Sequence, residues 1–393
     1  MVEGLSSTMG NFPHICIVGL KCYDLLSGAE TPRYIGGIEN QLVLLARGLV
    51  KRGFPVSFVT YDHGQPDGME HDGIRIFKAF GSDAGVPVLR FVHPRWTGLC
   101  SALARADADI YYQMGAGCET GQVALWCKAR QKSFVFAVAS DADCVSGLPL
   151  LKSHREKCLY HRGLRRARAV VSQTNRQHQL LLEHFGIASE VIRILSPQPS
   201  SSATAFEKRN RILWVGRISP EKRPHLLLDI ARALPERTFD VIGDANADTA
   251  YARDFRAKVQ EHPGIVLYGK VTGEFLNRMY DEAALLIGTS QTEGFPVTFL
   301  EAWSRGIPVV STFDPDSVIH DHRLGAVARD ADDMAAELKR FTQSRDTWLT
   351  ASTAARQYYL SNHAPEVCLP RFERLFLEVV DCRNSERVQV APS

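Results

Sequence analysis

The 393-residue sequence contains no apolar run near the ~18 residues that would span a bilayer, so it predicts no transmembrane helix. Its first twenty residues lack a charged segment followed by an apolar one and do not predict a secretory signal. Nine cysteines, an odd number with no C-x-x-C pair, argue against a disulfide framework or a structural zinc site. We therefore expect a cytoplasmic protein.

Strong charge of either sign is also missing. The formal net charge is +2, which does not indicate a nucleic-acid partner. No G-x-G-x-x-G motif is present, which counts against a dinucleotide dehydrogenase. Apolar residues at 45% and charged residues at 23% are ordinary globular values, and the length suits two domains, each with its own core.

Short apolar runs alternate with amphipathic segments along the whole chain, which predicts parallel sheets covered on both faces by helices. A change to Ser- and Pro-rich sequence around 194–210 predicts the hinge between two doubly wound domains. We expect a first domain over 1–200 and a second over 201–344. The predicted terminal helices span about 345–381. The expected strands of the first domain are 14–20, 55–61, 73–80, 109–115, 133–140 and 169–174.

The most informative stretch is TEGFPVTFLEAWSRGIPVV, from Thr292 to Val310. Gly294 permits a close approach to a helix start, and Pro296 suits its first position, which needs no amide hydrogen. The helix tip would then offer an anion the amides of Phe295, Val297 and Thr298. Two carboxylates, Glu293 and Glu301, flank this start eight positions apart. The helix tip could therefore hold a phosphate while Glu301 binds a sugar hydroxyl.

A second segment, GRISPEK, follows the apolar run ILWV. It places Gly216, Arg217 and Lys222 on the loop at the carboxyl end of a predicted strand. Two cations at that position of an open α/β sheet suit a pyrophosphate. A solvated charged loop is the alternative for a single Arg–Lys pair.

The first of these strings resembles the E-x7-E signature of retaining family 4 glycosyltransferases, and the second resembles their G-R-x-x-x-x-K motif. GGIE, residues 36–39, is similar to the family's G-G-x-E motif. The resemblance implies the GT-B fold, in which two Rossmann-like domains face each other across a cleft. It also implies that the terminal helices, here about 345–381, cross back onto the first domain. It implies that Arg217 and Lys222 hold the donor diphosphate, that Glu293 contacts the sugar and that Glu301 holds the ribose.

Other positions follow from the same resemblance. Gly36 and Gly37 would face the donor phosphates or the acceptor, although twin glycines before a helix are also common turn chemistry. Gly243, at the end of a second-domain strand, would let phosphates approach closely. The backbone near Lys270 and Val271 would meet the nucleobase.

The chain departs from the family pattern where many members have a His after a first-domain strand. Here FVFAVAS runs into Asp141, Ala142 and Asp143. Either an Asp, for which we take Asp141, or Ser140 occupies that place, or the site is altered. The D-x-D spelling could bind a divalent metal, but two such Asp are usually turn chemistry. We expect no metal site and no required cofactor.

The span 152–168 carries seven Lys or Arg and two His. Such a helix is either a solvated face or a surface for an anionic leaflet or a lipid-linked pyrophosphate acceptor at the inner face of the membrane. The expected function is a retaining, metal-independent hexosyl transfer from a UDP- or GDP-linked sugar to a sugar, lipid-linked or small-molecule acceptor in bacterial polysaccharide or glycoconjugate synthesis. The alternatives are a non-catalytic nucleotide-sugar-binding protein and a GT-B-like epimerase or phosphorylase.

Overall fold

The computed structural model describes residues 12–29, 33–34, 36–86, 89–197, 199, 206–209, 211–245 and 247–390, without the side chains of 208 and 383–390. Residues 198, 200–205 and 210 of the predicted hinge lie outside the described residues. The chain divides into two compact units. The first unit holds residues 1–173, 177–192 and 369–393, and the second holds 174–176 and 193–368.

The first unit is built on eight strands that lie in the order β3-β4-β2-β1-β5-β6-β7-β8. All neighbours pair in parallel except β3 and β4. The central strand β1 reads ICIV and is buried on both faces, as a parallel strand between two helix layers should be. The strands are β1 Ile15–Val18, β2 Val56–Thr60, β3 Met69–His71, β4 Ile74–Lys78, β5 Ile110–Met114, β6 Ser133–Ala137, β7 Ala169–Ser172 and β8 Glu190–Val191.

Six helices accompany this sheet: α1 Tyr23–Leu26, α2 Gly37–Lys51, α3 Thr97–Ala106, α4 Cys118–Ala129, α5 His154–Leu164 and α6 Asn175–Phe185. The backbones of α4 and α5 nearly touch. A Cβ on Gly121 would lie 2.4 Å from the Leu159 carbonyl oxygen, and one on Gly163 would lie 2.5 Å from the Thr120 carbonyl oxygen. Only glycine permits the two backbones to approach this closely. The contact with α4 holds α5 in place, with the cationic side chains of α5 toward solvent.

The second unit has a six-stranded parallel sheet in the order β11-β10-β9-β12-β13-β14. The order reverses direction between β9 and β12, which are paired neighbours. Its strands are β9 Arg211–Val215, β10 Phe239–Ile242, β11 Ile265–Gly269, β12 Ala283–Gly288, β13 Val309–Ser311 and β14 Gly325–Val327. Its helices are α7 Leu226–Ala233, α8 Ala250–Gln260, α9 Gly273–Glu282, α10 Val297–Trp303, α11 Val318–His322, α12 Ala331–Gln343 and α13 Arg345–Asn362.

The terminal helices divide differently from the predicted boundary at 344. Helix α13 packs on the second unit, where Trp348 Nε1 donates to the Ala284 carbonyl at 2.7 Å and Ser352 Oγ to the Gly306 carbonyl at 2.5 Å. The last helix, α14 Pro365–Val390, belongs to the first unit from Leu369 onward. There Phe372 and Phe376 pack edge-on against the buried Tyr112. The chain therefore returns to the first unit at residue 369 and not at residue 345, where the predicted terminal helices begin.

Candidate functional site

The carboxyl ends of four neighbouring parallel strands carry the second-unit residues singled out in the sequence. Lys270 follows β11, Gly243 follows β10, Gly216 follows β9, and Glu293 lies in the loop after β12. Parallel strands end at the same edge of a sheet, so these loops form one contiguous rim. Because β9 and β12 flank the point where the strand order reverses, their loops lie where open α/β sheets bind ligands.

Lys222 and Glu293, seventy-one positions apart in the chain, form an ion pair through Nζ and Oε1. Ser290 Oγ donates to the same carboxylate oxygen at 2.6 Å. The Lys222 and Glu293 side chains are 23% and 17% exposed, so the pair is reachable from solvent yet largely desolvated. The structure thus brings together one residue from each of the two motifs.

The two loops are also joined through their backbones. Thr289 Oγ1 donates to the Lys222 carbonyl at 2.5 Å and itself accepts from Trp214 Nε1 at 2.9 Å. Arg223 Nε donates to the Thr289 carbonyl at 2.8 Å, and its Nη2 donates to Thr312 Oγ1 at 2.7 Å. These bonds fix the position of the Lys222 backbone relative to the loop that carries Glu293.

Arg217 does not join this cluster. Its guanidinium lies 3.5 Å from Glu221, and both side chains are about half exposed. An exposed pair of this kind contributes little to stability, so the Arg217 guanidinium can leave Glu221 at small cost.

Gly216 and Gly243 touch each other at the rim. Gly243 has a φ of +132°, and a Cβ on it would lie 1.8 Å from the Gly216 carbonyl oxygen. The backbone here can be formed only with glycine at position 243. The Gly216 and Gly243 amides donate within the sheet, to the Ile242 carbonyl at 3.0 Å and the Gly269 carbonyl at 2.8 Å, so the two glycines offer a ligand space and not free amides.

Helix α10 begins at Val297, one residue later than predicted, and Pro296 is its N-cap. Pro296 has the φ of −66° that its ring imposes, but its ψ of 118° is extended, so the helical conformation starts only after it. The amides of Val297 and Thr298 in the first turn have no intrahelical acceptor. Gly294 and Phe295 precede the helix, and the Phe295 ring is buried 4.8 Å from that of His363.

Glu301 lies on α10 and is oriented by Tyr280, a residue that no sequence motif selects. Tyr280 OH, on the fully buried Tyr280, donates to Glu301 Oε2 at 2.6 Å. Burial raises the pKa of the Glu301 carboxyl above its usual value. Arg305 packs over the Tyr280 ring and donates to the Glu301 carbonyl at 3.0 Å. The buried Tyr280 therefore holds one oxygen of the Glu301 carboxylate in a fixed position, and Arg305 packs over the Tyr280 ring.

Lys270 and Val271 lie between β11 and α9, with Lys270 exposed and Val271 half-buried. The other predicted residues belong to the first unit. Gly36 is the N-cap of α2, and Gly37 is its first residue. Their assignment to donor or acceptor remains a prediction.

Asp141 and Asp143 form one short 3-10 turn after β6. Asp143 is buried, and its carboxylate accepts from the amides of Ala139 at 2.8 Å and Ser140 at 3.3 Å. This carboxylate is occupied in capping its own turn, which speaks against the D-x-D interpretation. Within the described part of the chain, no group of three or more His, Cys, Asp or Glu side chains could hold a metal ion. Asp141 is half-buried, and its catalytic assignment stays a prediction.

Ser290, Arg223 and Tyr280 are site residues that the sequence analysis missed. Arg223 directly follows Lys222 and Ser290 lies three positions before Glu293, so proximity to the motifs was an available signal. Tyr280 lies twenty-one positions from Glu301, and no sequence pattern links the two.

The two parallel-sheet units define the GT-B fold. The sucrose-phosphate synthase of Thermosynechococcus elongatus shares it with a TM-score of 0.75 at 16% identity, over 94% of this chain and 100% of that one. HepE of Anabaena, solved in complex with UDP-glucose, has a TM-score of 0.72 at 13% identity, over 93% and 100% of the two chains. Residues 36–198 match the glycosyl transferase 4-like domain, and residues 209–344 match the glycosyl transferases group 1. The two matches together cover most of the chain, which is therefore a glycosyltransferase of the GT-B type.

Curated relatives align over shorter stretches. The sulfoquinovosyl transferase SQD2 of Arabidopsis thaliana is 29% identical over 153 residues, which is 37% of this chain and 29% of that protein. The GtfA subunit of the UDP-N-acetylglucosamine–peptide N-acetylglucosaminyltransferase of Streptococcus pneumoniae is 25% identical over 150 residues, 36% of this chain and 29% of the relative. The matched region thus spans less than a third of either relative.

Proposed function

We propose that this chain transfers a hexose from a nucleotide-diphosphate sugar to an acceptor hydroxyl with retention of anomeric configuration. The observation that carries the proposal is the meeting of Lys222 and Glu293 at the strand-order reversal of the second unit. This position is where an open α/β sheet receives a nucleotide. HepE, which shares the fold, is solved with UDP-glucose, and GtfA is named for a UDP-linked sugar, so UDP is the first nucleotide to test.

Each residue has a distinct role in this proposal. The donor diphosphate draws Lys222 and Arg217 away from Glu293 and Glu221, because two phosphate charges attract the cations more strongly than one carboxylate. The two cations then stabilise the negative charge that develops as the diphosphate leaves. Glu293, released from Lys222 but still held by Ser290, accepts hydrogen bonds from the sugar hydroxyls.

The remaining second-unit residues bind the nucleoside and the phosphates. Glu301, with one oxygen held by Tyr280, accepts from the ribose hydroxyls through the other. The glycine backbone at 216 and 243 admits the phosphates. The first-turn amides of Val297 and Thr298 add donors for them. Lys270 and Val271 present backbone to the base. Since α10 has only seven residues, we assign most of the anion affinity to the cations and not to the helix dipole.

The acceptor and the setting are proposals of the same kind. A sugar, a lipid-linked molecule or a small hydroxyl compound would react at the carboxyl edge of the first sheet, where Gly36, Gly37 and Asp141 lie. The departing phosphate takes the acceptor proton, so no histidine base is needed. The pathway proposed is synthesis of a bacterial polysaccharide or glycoconjugate at the inner face of the membrane.

The proposal is tested by incubating the protein with UDP- and GDP-linked hexoses and following nucleotide diphosphate release with and without an acceptor mixture. We expect release from one nucleotide series that rises with acceptor and persists in excess EDTA. Binding without any release would favour a non-catalytic nucleotide-sugar-binding protein. Loss of release in EDTA with rescue by Mn²⁺ would contradict the metal-independent mechanism.

A further inference from the structure

The first unit carries a cluster of solvent-facing aliphatic side chains near the start of α5. Val86, Leu89, Val92 and Leu150 are each between 61% and 66% exposed, and no other large apolar side chain of the described residues is more than 43% exposed. Single exposed apolar residues are common, but four this exposed form a marked surface feature. Val92 lies in the short helical turn Phe91–Trp96, and the other three lie in loops. We call these four residues the apolar ridge.

Two contacts place the loops of the ridge beside α5. The Arg155 guanidinium, in the first turn of α5, stacks over the Phe91 ring at 3.8 Å, and Phe91 lies between Leu89 and Val92 in the chain. Lys157 Nζ donates to the Gly147 carbonyl at 2.7 Å, three residues before Leu150. The ridge therefore adjoins the amino-terminal end of α5.

Helix α5 continues the surface with positive charge. Arg155 and Arg162 are seven positions apart and so share one face about 10 Å apart along the axis. Arg166, just beyond the helix, extends the same face and donates to the Arg162 carbonyl at 3.2 Å. All three side chains are exposed. The only acidic residue between 150 and 168, Glu156, is turned to the amides of Lys152 and Ser153, which it caps. We call the three arginines the cationic stripe.

We propose that the apolar ridge and the cationic stripe together dock this protein on the surface of an anionic lipid bilayer, with the ridge entering the headgroup layer. Protruding aliphatic side chains flanked by Arg and Lys match an interface that is apolar below and anionic above. A docking site for a protein partner would instead have a polar rim of defined shape, whereas the surface that adjoins the ridge is the cationic stripe. No helix of the described residues is long and apolar enough to cross a membrane, so this contact is peripheral.

Docking gives the first unit a fixed orientation toward lipid. The loops that carry the ridge follow β4 and β6, so they emerge at the carboxyl edge of the first sheet, as does the loop before Gly36 and Gly37. A hydroxyl or phosphate on a lipid-linked acceptor would reach that edge without leaving the bilayer surface. This consequence depends on the proposed transferase function, whereas the docking itself does not.

The test is co-sedimentation of the full chain, without nucleotide, with vesicles of phosphatidylcholine alone or mixed 7:3 with phosphatidylglycerol. We expect binding to the anionic vesicles that weakens in high salt, because the Debye length falls to about 3 Å at 1 M. R162E/R166E should lower the partition coefficient at least tenfold, since each cation near an anionic surface contributes roughly fivefold. L89S/V92S should lower it several-fold and remove the part of the binding that resists salt.

The matched control is R329E/R340E, which makes the same charge change at two exposed arginines of the second unit and should bind vesicles like the wild type. Thermal unfolding of all variants confirms folding, and UDP titration shows whether the donor site is intact independently of lipid. Equal binding to neutral and anionic vesicles, or equal losses in the control, would overturn the proposal. Binding to polyglutamate or RNA without vesicle binding would overturn it too and assign the stripe to an acidic macromolecule.

Discussion

The charges of Lys222 and Glu293 neutralise each other in their ion pair. This neutralisation allows both side chains to be largely buried where the loops after β9 and β12 meet. A largely buried, unpaired lysine would be costly, so the ion pair stabilises Lys222 in this position. Exchange of Glu293 for phosphate keeps the cation paired throughout. We therefore propose that the pair is a preorganised anion site.

Removal of the Lys222 charge should weaken this site without unfolding the protein. We expect Lys222→Ala to lose roughly 1.5–3 kcal/mol of transition-state stabilisation, or about 10- to 150-fold in kcat/KM. Lys258→Ala removes an exposed lysine of the same unit and is the control. Steady-state rates of the two variants decide the matter. Near-wild-type kcat/KM in Lys222→Ala would remove the lysine from the mechanism.

Tyr280 should act as a positioning residue for Glu301. Tyr280→Phe deletes the hydroxyl that holds Glu301 Oε2, so the carboxylate loses its orientation, and we expect about fivefold weaker UDP binding for ~1 kcal/mol lost. Tyr359→Phe is the matched control, because Tyr359 is also buried in the second unit but donates to the Ser196 carbonyl. Calorimetry should show similar losses of stability in both variants and weaker UDP binding only in Tyr280→Phe. Equal UDP affinities would leave Tyr280 as a core residue only.

Individual residues were predictable from the sequence only where a motif contained them. Lys222 and Glu293 could be selected by their strings, but their contact depends on β9 and β12 being neighbours, which the order of segments along the chain does not state. Tyr280 could not be assigned, because its role is a hydrogen bond to a residue 21 positions away. Arg223 lies outside the motif strings, and its hydrogen bonds to Thr289 and Thr312 span 66 and 89 positions.

At the scale of elements, the long periodic segments were predicted well and the short ones were missed. Helix α2 was expected at 38–53 and spans Gly37–Lys51, and β6 was expected at 133–140 and spans Ser133–Ala137. Strands β3, β8 and β14 were not predicted. They are two or three residues long and lie at or near sheet edges, so they are too short to show an alternating pattern.

The close approach of the β9 and β10 loops requires glycine at position 243, so Gly243→Ala should disrupt the rim. The new methyl group would lie 1.8 Å from the Gly216 carbonyl oxygen, and the φ of +132° is itself unfavourable for alanine. Gly273→Ala is the control, since Gly273 also has a positive φ, +64°, but has nothing within 4 Å of its Cβ position. Urea unfolding should show a loss of about 1–2 kcal/mol in the control and a larger loss in Gly243→Ala. Equal losses of stability in the two variants would mean that the Gly216 carbonyl moves aside at no cost in free energy.

For the molecule as a whole, the presence of two domains was predictable, but the positions at which the chain passes from one domain to the other were not. The sequence placed the boundary by composition near 200, whereas contacts assign 193 onward to the second unit. The reason is a set of bonds within that unit: Tyr359 OH donates to the Ser196 carbonyl at 2.7 Å, and His363 Nδ1 bonds the Ile194 carbonyl at 2.9 Å. These partners are more than 160 positions apart, beyond any local pattern.

His363 should make the stability of the protein depend on pH. It is fully buried, and burial lowers its pKa from 6.5 to about 3. The unfolded state therefore binds the proton first, so this contribution is present above pH 6.5 and is lost as pH falls toward 3. Between pH 7.5 and 5.5 we expect a loss of about 1.4 kcal/mol.

The measurement is urea unfolding at both pH values for the wild type and His363→Asn, whose amide can replace Nδ1 in the bond to Ile194. The variant should be less stable at pH 7.5, but its pH dependence should be smaller by the stated amount. An identical pH dependence in the two proteins would show that His363 titrates normally and is hydrated.

We propose that α10, the helix of the E-x7-E motif, binds the donor, and substitutions of Glu301 provide the sharpest test. Calorimetric titration of UDP into the wild type, Glu301→Gln and Glu301→Ala should give decreasing affinity in that order, with roughly 1–3 kcal/mol lost in the alanine variant, because its ribose hydroxyls are left unpaired. Glu337→Ala, on the exposed face of α12, controls for loss of a glutamate. If GDP replaces UDP as the ligand, the same order applies. Equal UDP affinities in all four proteins would show that Glu301 does not bind the donor and that α10 has only a structural role.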